Sequence, residues 1–253
     1  MIRYDYTGST AMITGAGGYL GRTVADMFAE AGAELIFVDR DKEKLERLSL
    51  ETEKKYNVKT TSFVTDLRNV REIEMLGNKV KRDGGNVDIL VNCVGINNLK
   101  TALEYSEDEW DRILDTNLKS IFFVSKIIGD MMISQRRGAI VNISSQHGVV
   151  GNLDRSAYCA SKAGVINLTR ALACEWAPFG VRVNCVSPTY IVNPENESFL
   201  LSLNGKKNYL RTIPLGRYCY PKDVSSAVLF LSSNDASMIT GHNLLVDGGY
   251  TAV

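Results

Sequence analysis

Short segments rich in β-branched residues alternate with longer helix-like segments along the whole of this 253-residue chain. Several short segments are continuously apolar, as strands buried on both faces of a parallel sheet are. Such an alternation predicts one doubly wound α/β domain over residues 1–253, with about seven parallel strands between two helix layers. The predicted strands are Thr10–Thr14, Glu34–Val38, Thr60–Val64, Asp88–Cys93, Ala139–Ile143, Val181–Val186 and Leu244–Val246, and the predicted helices lie near 20–31, 41–56, 69–83, 107–136, 156–178 and 221–232.

The composition argues against several classes of protein. The 29 basic residues balance the 29 acidic ones, so neither nucleic acid nor a membrane surface is an expected partner. No apolar run reaches membrane-spanning length, and the N-terminus lacks the apolar core of a signal peptide, so we expect a cytoplasmic protein. The five cysteines form no C-x-x-C pair and the chain has two histidines, so reduced thiols and no metal site are expected.

A glycine-rich turn follows the first predicted strand and leads into a helical segment, as Gly15-Ala16-Gly17-Gly18-Tyr19-Leu20-Gly21. Glycines let the backbone approach a pyrophosphate closely, and the helix N-terminus offers it unpaired N–H groups. Asp39 ends the second strand 18 residues after Gly21, where a carboxylate can bind the ribose hydroxyls of a dinucleotide. That carboxylate would repel a 2′-phosphate, whereas the adjacent Arg40 could attract one. The pattern predicts a Rossmann-like fold that prefers NAD and leaves NADP open.

Three polar residues suggest chemistry at an alcohol or carbonyl oxygen. Tyr158 and Lys162 are four residues apart and share one helix face, and Ser145 precedes Tyr158 by thirteen residues. A nearby ammonium favours the phenolate and moves the pKa of the phenol towards the range that a general acid or base needs. Ser145 could donate a hydrogen bond to the same substrate oxygen. Tyr-x-x-x-Lys alone is a weak signal, and its surroundings decide the interpretation.

Residues 188–214 interrupt the alternation, because they are polar, contain three prolines and lack a clean helix or strand period. The segment follows the strand Val181–Val186, and ligands bind at the carboxyl ends of such strands. We therefore predict a substrate-binding lid. The alternative is a surface excursion with a short helix around Phe199–Leu203.

Further motifs accompany these features in a fixed order along the chain. Together they resemble the short-chain dehydrogenase/reductase family, in its single-domain branch, and the resemblance covers essentially the whole sequence. The additional matches are Val64-Thr65-Asp66-Leu67, Asn92-Cys93-Val94-Gly95, Asp115-Thr116-Asn117-Leu118, Ile140–Ser145, Ser156–Lys162, Arg182-Val183-Asn184 with Pro188, Pro214–Arg217, Ile239–Gly241 and Val246–Gly249.

The resemblance implies reversible hydride transfer between a nicotinamide and a carbinol carbon. Tyr158 is then the acid/base, Ser145 rather than Ser144 steadies the oxygen, and Lys162 lowers the Tyr158 pKa and binds the nicotinamide ribose. Asn117 is implied to hold a water in a proton relay from the lysine. The implied cofactor-binding residues are Gly15, Gly17, Gly18, Tyr19, Leu20, Gly21, Asp39, Arg40, Asp66, Leu67, Asn92, Gly95, Tyr158, Lys162, Pro188, Ile191 and Asn193.

Three residues depart from the family pattern. Tyr19 stands where the single-domain branch usually has Gly, so the glycines are spaced by three, as in the branch that includes sugar-nucleotide epimerases. Thr189 replaces the usual Gly after Pro188 and stiffens the hinge of the lid. Asn193 stands where a Thr normally contacts the carboxamide.

The substrate is less constrained than the reaction. By the family's architecture a polar rim is expected, which favours a sugar- or polyol-derived substrate such as a gluconate-type hydroxy acid. His147 could contact a substrate hydroxyl or merely cap its loop. The expected substrate contacts are Ser145, His147, Leu153, Tyr158 and Tyr190, and the rim also includes Gly95, Asn97, Arg155 and 193–212.

Several alternatives remain open. Apolar lid residues such as Phe199 and Leu203 would suit a 3-oxoacyl thioester or another apolar ketone. Epimerisation or dehydration with retained NAD uses the same Tyr/Lys pair, and a non-catalytic nucleotide-binding scaffold could use the same fold. The resemblance also implies a homo-oligomer, with a tetramer formed through the helices at 107–136 and 156–178 as the best single expectation.

Overall fold

A computed structural model of the chain describes residues 4–83 and 85–252, and its centre is a seven-stranded parallel sheet. The strand order is β3-β2-β1-β4-β5-β6-β7. The predicted Rossmann-like fold is therefore confirmed. The strands are β1 (Thr10–Thr14), β2 (Glu34–Asp39), β3 (Thr60–Val64), β4 (Ile89–Asn92), β5 (Gly138–Ile143), β6 (Val181–Pro188) and β7 (Asn243–Val246).

Helices cover both faces of the sheet. Each predicted helix is present, and the predicted segment 107–136 is two helices joined by a π-helical turn at Asp115–Lys119. The helices are α1 (Tyr19–Glu30), α2 (Lys42–Tyr56), α3 (Val70–Arg82), α4 (Glu107–Leu114), α5 (Ser120–Gln135), α6 (Ser156–Trp176), α7 (Glu197–Leu201), α8 (Leu203–Asn208) and α9 (Pro221–Ser232).

Alternating residues of the strands fill two cores, one on each face of the sheet. Ile13 and Phe37 pack into the core on one face together with Phe28 of α1. Met12 and Val38, their sequence neighbours, pack into the core on the other face. Both faces of the central strands are buried, which explains why their sequences are continuously apolar.

The chain order places the candidate residues at one edge of the sheet. β1 pairs with β2 on one side and with β4 on the other, so the winding reverses between β1 and β4. All strands are parallel, and their carboxyl ends therefore meet at the same edge. The glycine turn, Asp39 and Ser145 all follow or end strands there, which brings together residues far apart in the sequence.

The segment 188–214 contains more regular structure than its sequence suggested. Its first residue, Pro188, is the last residue of β6, which extends two residues beyond the predicted end because Ser187 and Pro188 pair with β7. Helices α7 and α8 follow and are five and six residues long, too short for an apolar period to be recognised. Val192, Leu200 and Ile213 form a small core with Tyr218, so the segment packs around apolar residues of its own.

Two structural observations bear on partners. Within residues 4–83 and 85–252, no helix is both long enough and apolar enough to cross a membrane. The same part of the chain contains no cluster of three or more His, Cys, Asp or Glu side chains placed to bind a metal ion.

Candidate active site

The glycine turn is a close crossing of backbone segments. Gly15 has a φ of +65°, which favours glycine, and Gly18 ends the turn as the N-cap of α1 without a side-chain cap. The first-turn N–H groups of α1, at Tyr19, Leu20 and Gly21, therefore lack a capping side chain and suit an anion. Tyr19 is about half exposed, so its side chain is not buried in the crossing and the backbone closes there without glycine.

We expect Gly21→Ala to destabilise the protein and weaken dinucleotide binding. A Cβ on Gly21 would overlap the Gly15 carbonyl oxygen and lie 2.9 Å from Ala16 Cα, both of which are backbone atoms that cannot rotate away. Overpacking of this kind costs about 1–3 kcal/mol and displaces the turn. Thermal unfolding and NADH fluorescence titration measure the two effects. Gly151→Ala is the control, because no atom lies within 4 Å of its Cβ position, and equal effects of both substitutions would contradict the prediction.

A cavity of about 220 Å³ opens beside this turn. Asp39 accepts hydrogen bonds from the N–H groups of Gly17 (3.0 Å) and Asp41 (3.1 Å), which hold its carboxylate over the turn. The narrow glycine crossing, the uncapped helix N-terminus and this carboxylate fit the pyrophosphate and ribose of a dinucleotide. The cavity is lined by Gly15, Gly18, Asp39, Arg40, Thr65, Asp66, Leu67, Arg68, Cys93, Val94, Gly95, Ile96, Arg112 and Thr116.

Asp66 is paired within the protein. Its carboxylate accepts from the Arg68 side chain and from the Arg68 N–H, and the guanidinium holds the pKa of the carboxyl below its usual range. The N–H of Asp66 donates to Glu72 at 2.8 Å. An adenine that bonds to the Asp66 side chain would therefore use a carboxylate that already accepts hydrogen bonds from Arg68.

Asn92 corrects one sequence-based expectation. Its side chain is buried and donates to Asn142 Oδ1 (2.8 Å) and Ser125 Oγ (3.1 Å), while Thr14 donates to its oxygen (3.3 Å). These bonds cross-link β1, β4, β5 and α5 inside the sheet. The amide is committed to the core, so the Asn92 side chain supports the strands below the site.

Tyr158 and Ser145 meet at the start of α6. Ser145 Oγ accepts from the His147 N–H at 3.1 Å, and Ser144 Oγ instead donates to the Lys162 carbonyl at 2.8 Å. Burial raises the pKa of the Tyr158 phenol, although a hydrogen bond with Ser145 and the charge of Arg155 act in the opposite direction. Ser145 is therefore the serine beside the phenol, as the thirteen-residue spacing predicted.

Lys162 lies one turn beyond Tyr158 and is almost fully buried. Its ammonium donates to the Ile143 carbonyl at 2.8 Å and lies 5.9 Å from the Tyr158 ring centroid. Burial lowers the pKa of Lys162 to about 8. The expected lowering of the Tyr158 pKa by this lysine is not the dominant effect here, because burial of the phenol prevails.

The π-helical turn between α4 and α5 presents Asn117. Its buried amide accepts from the Ile96 N–H (2.8 Å) and donates to the Ile96 carbonyl (2.8 Å) and to Ser161 (3.1 Å). A Cβ on Gly95 would lie 3.2 Å from Lys162 Nζ and 3.6 Å from Asn117 Oδ1, so these two polar groups flank the same glycine. Such turns are frequent at functional sites, but the sequence showed only a continuous helical period.

His147 is at the centre of an aromatic cluster. Its ring centroid lies 6.5 Å from that of Tyr158, 5.8 Å from Tyr190 and 5.9 Å from Tyr250. Burial, together with the charge of Arg155, lowers the pKa of His147 to about 4, so the ring is neutral at pH 7. Its Nδ1 is buried and has no hydrogen-bond partner among the described residues.

Two findings revise the expected substrate contacts. The side chain of Leu153 is 83% exposed, so it does not share the enclosure of His147 and Tyr190. Tyr250, near the C-terminus, contributes to the pocket although sequence reasoning did not select it. Its only signal was its place directly after the motif Val246–Gly249, whose first residue pairs with Pro188 at the end of β6.

The start of the segment 188–214 is held against the sheet. Thr189 is buried and its N–H donates to the Val246 carbonyl at 3.2 Å, whereas its Oγ1 has no partner in the described part of the chain. Ile191 forms a bridge with Cys219. These contacts fix Pro188–Ile191 beside the site.

Asn193 uses its side-chain oxygen locally. Asn193 Oδ1 accepts from the N–H groups of Glu195 (2.9 Å) and Asn196 (3.0 Å), which closes a turn before α7. The amide NH₂ is the remaining donor of this side chain, and it is the group that a carboxamide oxygen would require.

Comparison with known proteins agrees with the geometry. A family model described as Enoyl-(Acyl carrier protein) reductase matches residues 15–251. An NAD-dependent glycerol dehydrogenase of Listeria innocua is 36% identical over 248 residues, which cover 98% of this chain and 96% of that protein. A 3-oxoacyl-acyl-carrier-protein reductase of Thermotoga maritima is 37% identical over 242 residues, which cover 96% of this chain and 97% of that protein.

A solved structure extends the likeness to three dimensions. A gluconate 5-dehydrogenase from Burkholderia cenocepacia J2315, in complex with NADP and tartrate, matches with a TM-score of 0.92 and 28% identity over 99% of this chain and 98% of that one. Fold, site and matches together define an NAD(P)-dependent oxidoreductase that acts on alcohols or ketones. The chain belongs to the short-chain dehydrogenase/reductase family.

Proposed function

We propose that this protein oxidises a secondary alcohol of a small polyhydroxylated substrate, and reduces the corresponding ketone, by means of Ser145, Tyr158 and Lys162. The contact of the buried Tyr158 phenol with Ser145, one helical turn before Lys162 on α6, carries this proposal. When bound, the nicotinamide supplies the hydride acceptor. In oxidation Tyr158 Oη takes the hydroxyl proton, and Ser145 Oγ donates a hydrogen bond to the substrate oxygen.

The proton then needs a path away from the buried phenol. Lys162 stabilises the phenolate by its charge and binds the nicotinamide ribose. Asn117 is proposed to hold a water between its side chain and the Lys162 ammonium. This role is supported by the fact that both side chains lie next to Gly95. The cofactor would be held by the N-terminal turn of α1, by Asp39 and by the cavity-lining residues Asp66, Leu67 and Gly95. The nicotinamide would be bordered by Pro188, Ile191 and Asn193.

NAD is the proposed preferred cofactor. The Asp39 carboxylate is held at the end of β2 by two backbone N–H groups, where it can accept from ribose hydroxyls and would repel a 2′-phosphate. Arg40 is exposed next to it and is available to a 2′-phosphate only if that repulsion is removed.

We expect Asp39→Asn to raise the ratio of kcat/KM for NADP to that for NAD by about tenfold or more, because the amide keeps the shape of the carboxylate and loses its charge. Steady-state kinetics with both cofactors measures the ratio. Asp41→Asn is the control, since Asp41 caps α2 through the Lys44 N–H and lies outside the residues that line the cleft. A kcat/KM of the wild type for NADP that equals or exceeds its kcat/KM for NAD would contradict the NAD preference.

A substrate panel tests the proposed reaction. Polyols, sugar acids and 3-hydroxyacyl thioesters are offered with NAD⁺, and formation of reduced nicotinamide is followed by absorbance. We expect turnover with polyols or sugar acids, because two polar side-chain atoms near His147, Gln146 Oε1 and Arg155 Nε, are buried and have no hydrogen-bond partner among the described residues. Turnover with no member of either polar series would refute the proposed substrate class.

Reduction of a 3-oxoacyl thioester or another apolar ketone is the second candidate. The apolar side chains of Phe199, Leu201 and Leu203 in the segment 188–214 are exposed and could contact an acyl chain. The relative in Thermotoga maritima bears the name of such a reductase. The thioesters in the panel distinguish this candidate from the first.

We further propose that residues 188–214 act as the lid of this site, and that the protein assembles as a homo-oligomer, with a tetramer as the expected form. Exposed Phe122 on α5 and Trp110 on α4 support an interface along these helices. A cytoplasmic location also stays a prediction, supported by the cysteines, all five of which are free thiols in the described structure.

A further inference from the structure

In the part of the chain that the structure describes, Arg155 is a buried cation without a counter-charge. The residue is 8% exposed, and its Nε has no hydrogen-bond partner within the described residues. None of the ion pairs formed within residues 4–83 and 85–252 includes Arg155. Buried charges in proteins are normally paired and hydrogen-bonded, so this arrangement needs a partner.

Another partly buried arginine of the same chain illustrates the normal case. Arg182 donates to the main-chain carbonyls of Leu231 (2.7 Å) and Ser233 (3.0 Å) and approaches that of Ile239 (3.3 Å). The guanidinium of Arg182 therefore has a structural role that is satisfied within the fold. Within residues 4–83 and 85–252, Arg155 has no comparable acceptor at its Nε, so this part of the chain does not supply its partner.

The position of Arg155 connects it with the reacting centre. It is the N-cap of α6, three residues before Tyr158. Its Cζ lies 6.0 Å from the ring centroid of Tyr190, a ring in contact with His147. Its positive charge lowers the pKa values of both the His147 imidazole and the Tyr158 phenol, as a cation near these two side chains must.

We propose that Arg155 binds a carboxylate of the substrate, so that the substrate is a hydroxy acid or its keto counterpart rather than a neutral polyol. This inference rests on the proposed function and narrows its substrate class. A planar guanidinium matches a carboxylate in shape, and one negative charge balances the one unpaired charge of Arg155. His147 Nδ1 and Gln146 Oε1 are also buried without a partner among the described residues, and in the proposed complex they would bond to hydroxyl groups of the same molecule.

Three probes separate the chemical classes. D-gluconate, D-glucitol and D-glucitol 1-phosphate share a hydroxylated six-carbon chain and differ at C1, which carries a carboxylate, a neutral hydroxymethyl group or a phosphate ester. We expect kcat/KM of the wild type with NAD⁺ to be highest for gluconate, by about tenfold or more over glucitol. Equal or higher kcat/KM for glucitol, or for the phosphate ester, would overturn the carboxylate assignment.

Substitutions then assign the preference to Arg155. In Arg155→Gln we expect the ratio of kcat/KM for gluconate to that for glucitol to fall by about 10–100-fold, mainly through KM for gluconate, and Arg155→Lys to recover part of it. Lys222→Gln, which removes the same charge from an exposed position on α9, is the matched control. A ratio unchanged in Arg155→Gln would show that Arg155 has only a structural role.

A binding measurement keeps this test independent of turnover. Gluconate is titrated into the protein saturated with NADH, where no oxidation can occur, and its Kd is read from nicotinamide fluorescence. We expect Arg155→Gln to raise that Kd by about the same factor as it raises KM. If the proposed function is wrong, no alcohol is turned over although gluconate still binds to the NADH-saturated protein. If only the carboxylate assignment is wrong, alcohols are turned over but the preference for gluconate over glucitol does not depend on Arg155.

Discussion

Tyr158→Phe is expected to lower turnover by about a thousandfold while cofactor binding is retained. Phenylalanine keeps the ring that packs against His147 and loses only the hydroxyl that exchanges the substrate proton. General acid–base catalysis of this kind contributes about 10²–10⁴-fold to a rate. Stopped-flow or steady-state kinetics measures turnover on the substrate found by the panel, and fluorescence titration measures the Kd of NADH.

Tyr6→Phe provides a matched control for the loss of a phenolic hydroxyl. Tyr6 Oη is buried and donates to the Leu229 carbonyl at 2.6 Å, away from the candidate site. Its loss should lower the free energy of unfolding by about 1 kcal/mol and leave turnover near that of the wild type. Near-normal turnover in Tyr158→Phe would refute the assignment of Tyr158 as the acid/base.

Lys162→Met is expected to abolish turnover and, at neutral pH, to stabilise the cofactor-free protein. A buried ammonium is costly, and methionine fills a similar volume without charge. Because the pKa of Lys162 is about 8 in the folded protein and about 10.4 in an unfolded chain, the burial cost is largest below pH 8. This difference between the two pKa values corresponds to a cost of about 3 kcal/mol in the free energy of unfolding, which Lys162→Met removes. Loss of the hydrogen bond to the Ile143 carbonyl offsets about 1 kcal/mol of that gain.

The stability advantage of Lys162→Met over the wild type is expected to depend on pH. Between pH 8 and about 10 the unfolded wild-type chain binds one more proton than the folded one, so the free energy of unfolding of the wild type rises with pH relative to the Met variant. The advantage of Lys162→Met in Tm should therefore shrink across that range. Thermal unfolding of the cofactor-free proteins at several pH values measures it, with the exposed Lys222→Met as control. A difference in Tm that is the same at pH 7 and pH 10 would contradict the burial of a charged Lys162.

The fold was predictable because its determinants are local and periodic. Continuous apolar runs such as Ile89-Leu90-Val91 are explained by burial on both faces, and a parallel sheet with helices on each side is the arrangement that supplies it. The glycine turn was predictable for a similar reason, since the conformation of Gly15 and the crossing at Gly21 require residues without a Cβ. The position of Asp39 followed from the length of one β–α–β unit.

Other features were not predictable because they depend on long-range packing. The π-helical turn around Asn117 leaves no mark in a helical period, and the Asn117 amide in it bonds to the backbone of Ile96, 21 residues earlier in the chain. Asn92 looked like a cofactor contact, yet its side chain is turned into the sheet by Asn142 of the neighbouring strand. Tyr250 reaches the pocket only because β7 adds to the sheet edge beside β6.

By itself, the sequence determined the α/β architecture, the dinucleotide turn and the trio Ser145, Tyr158 and Lys162, because each depends on residue type at short, regular spacing. Only the tertiary structure decided that Ser144 bonds to the Lys162 backbone, that burial dominates the pKa of Tyr158, and that Arg155 Nε is buried without a partner among the described residues. Hydrogen-bond partners and desolvation are set by chain segments that meet in space, and no local pattern in the sequence records which segments will meet.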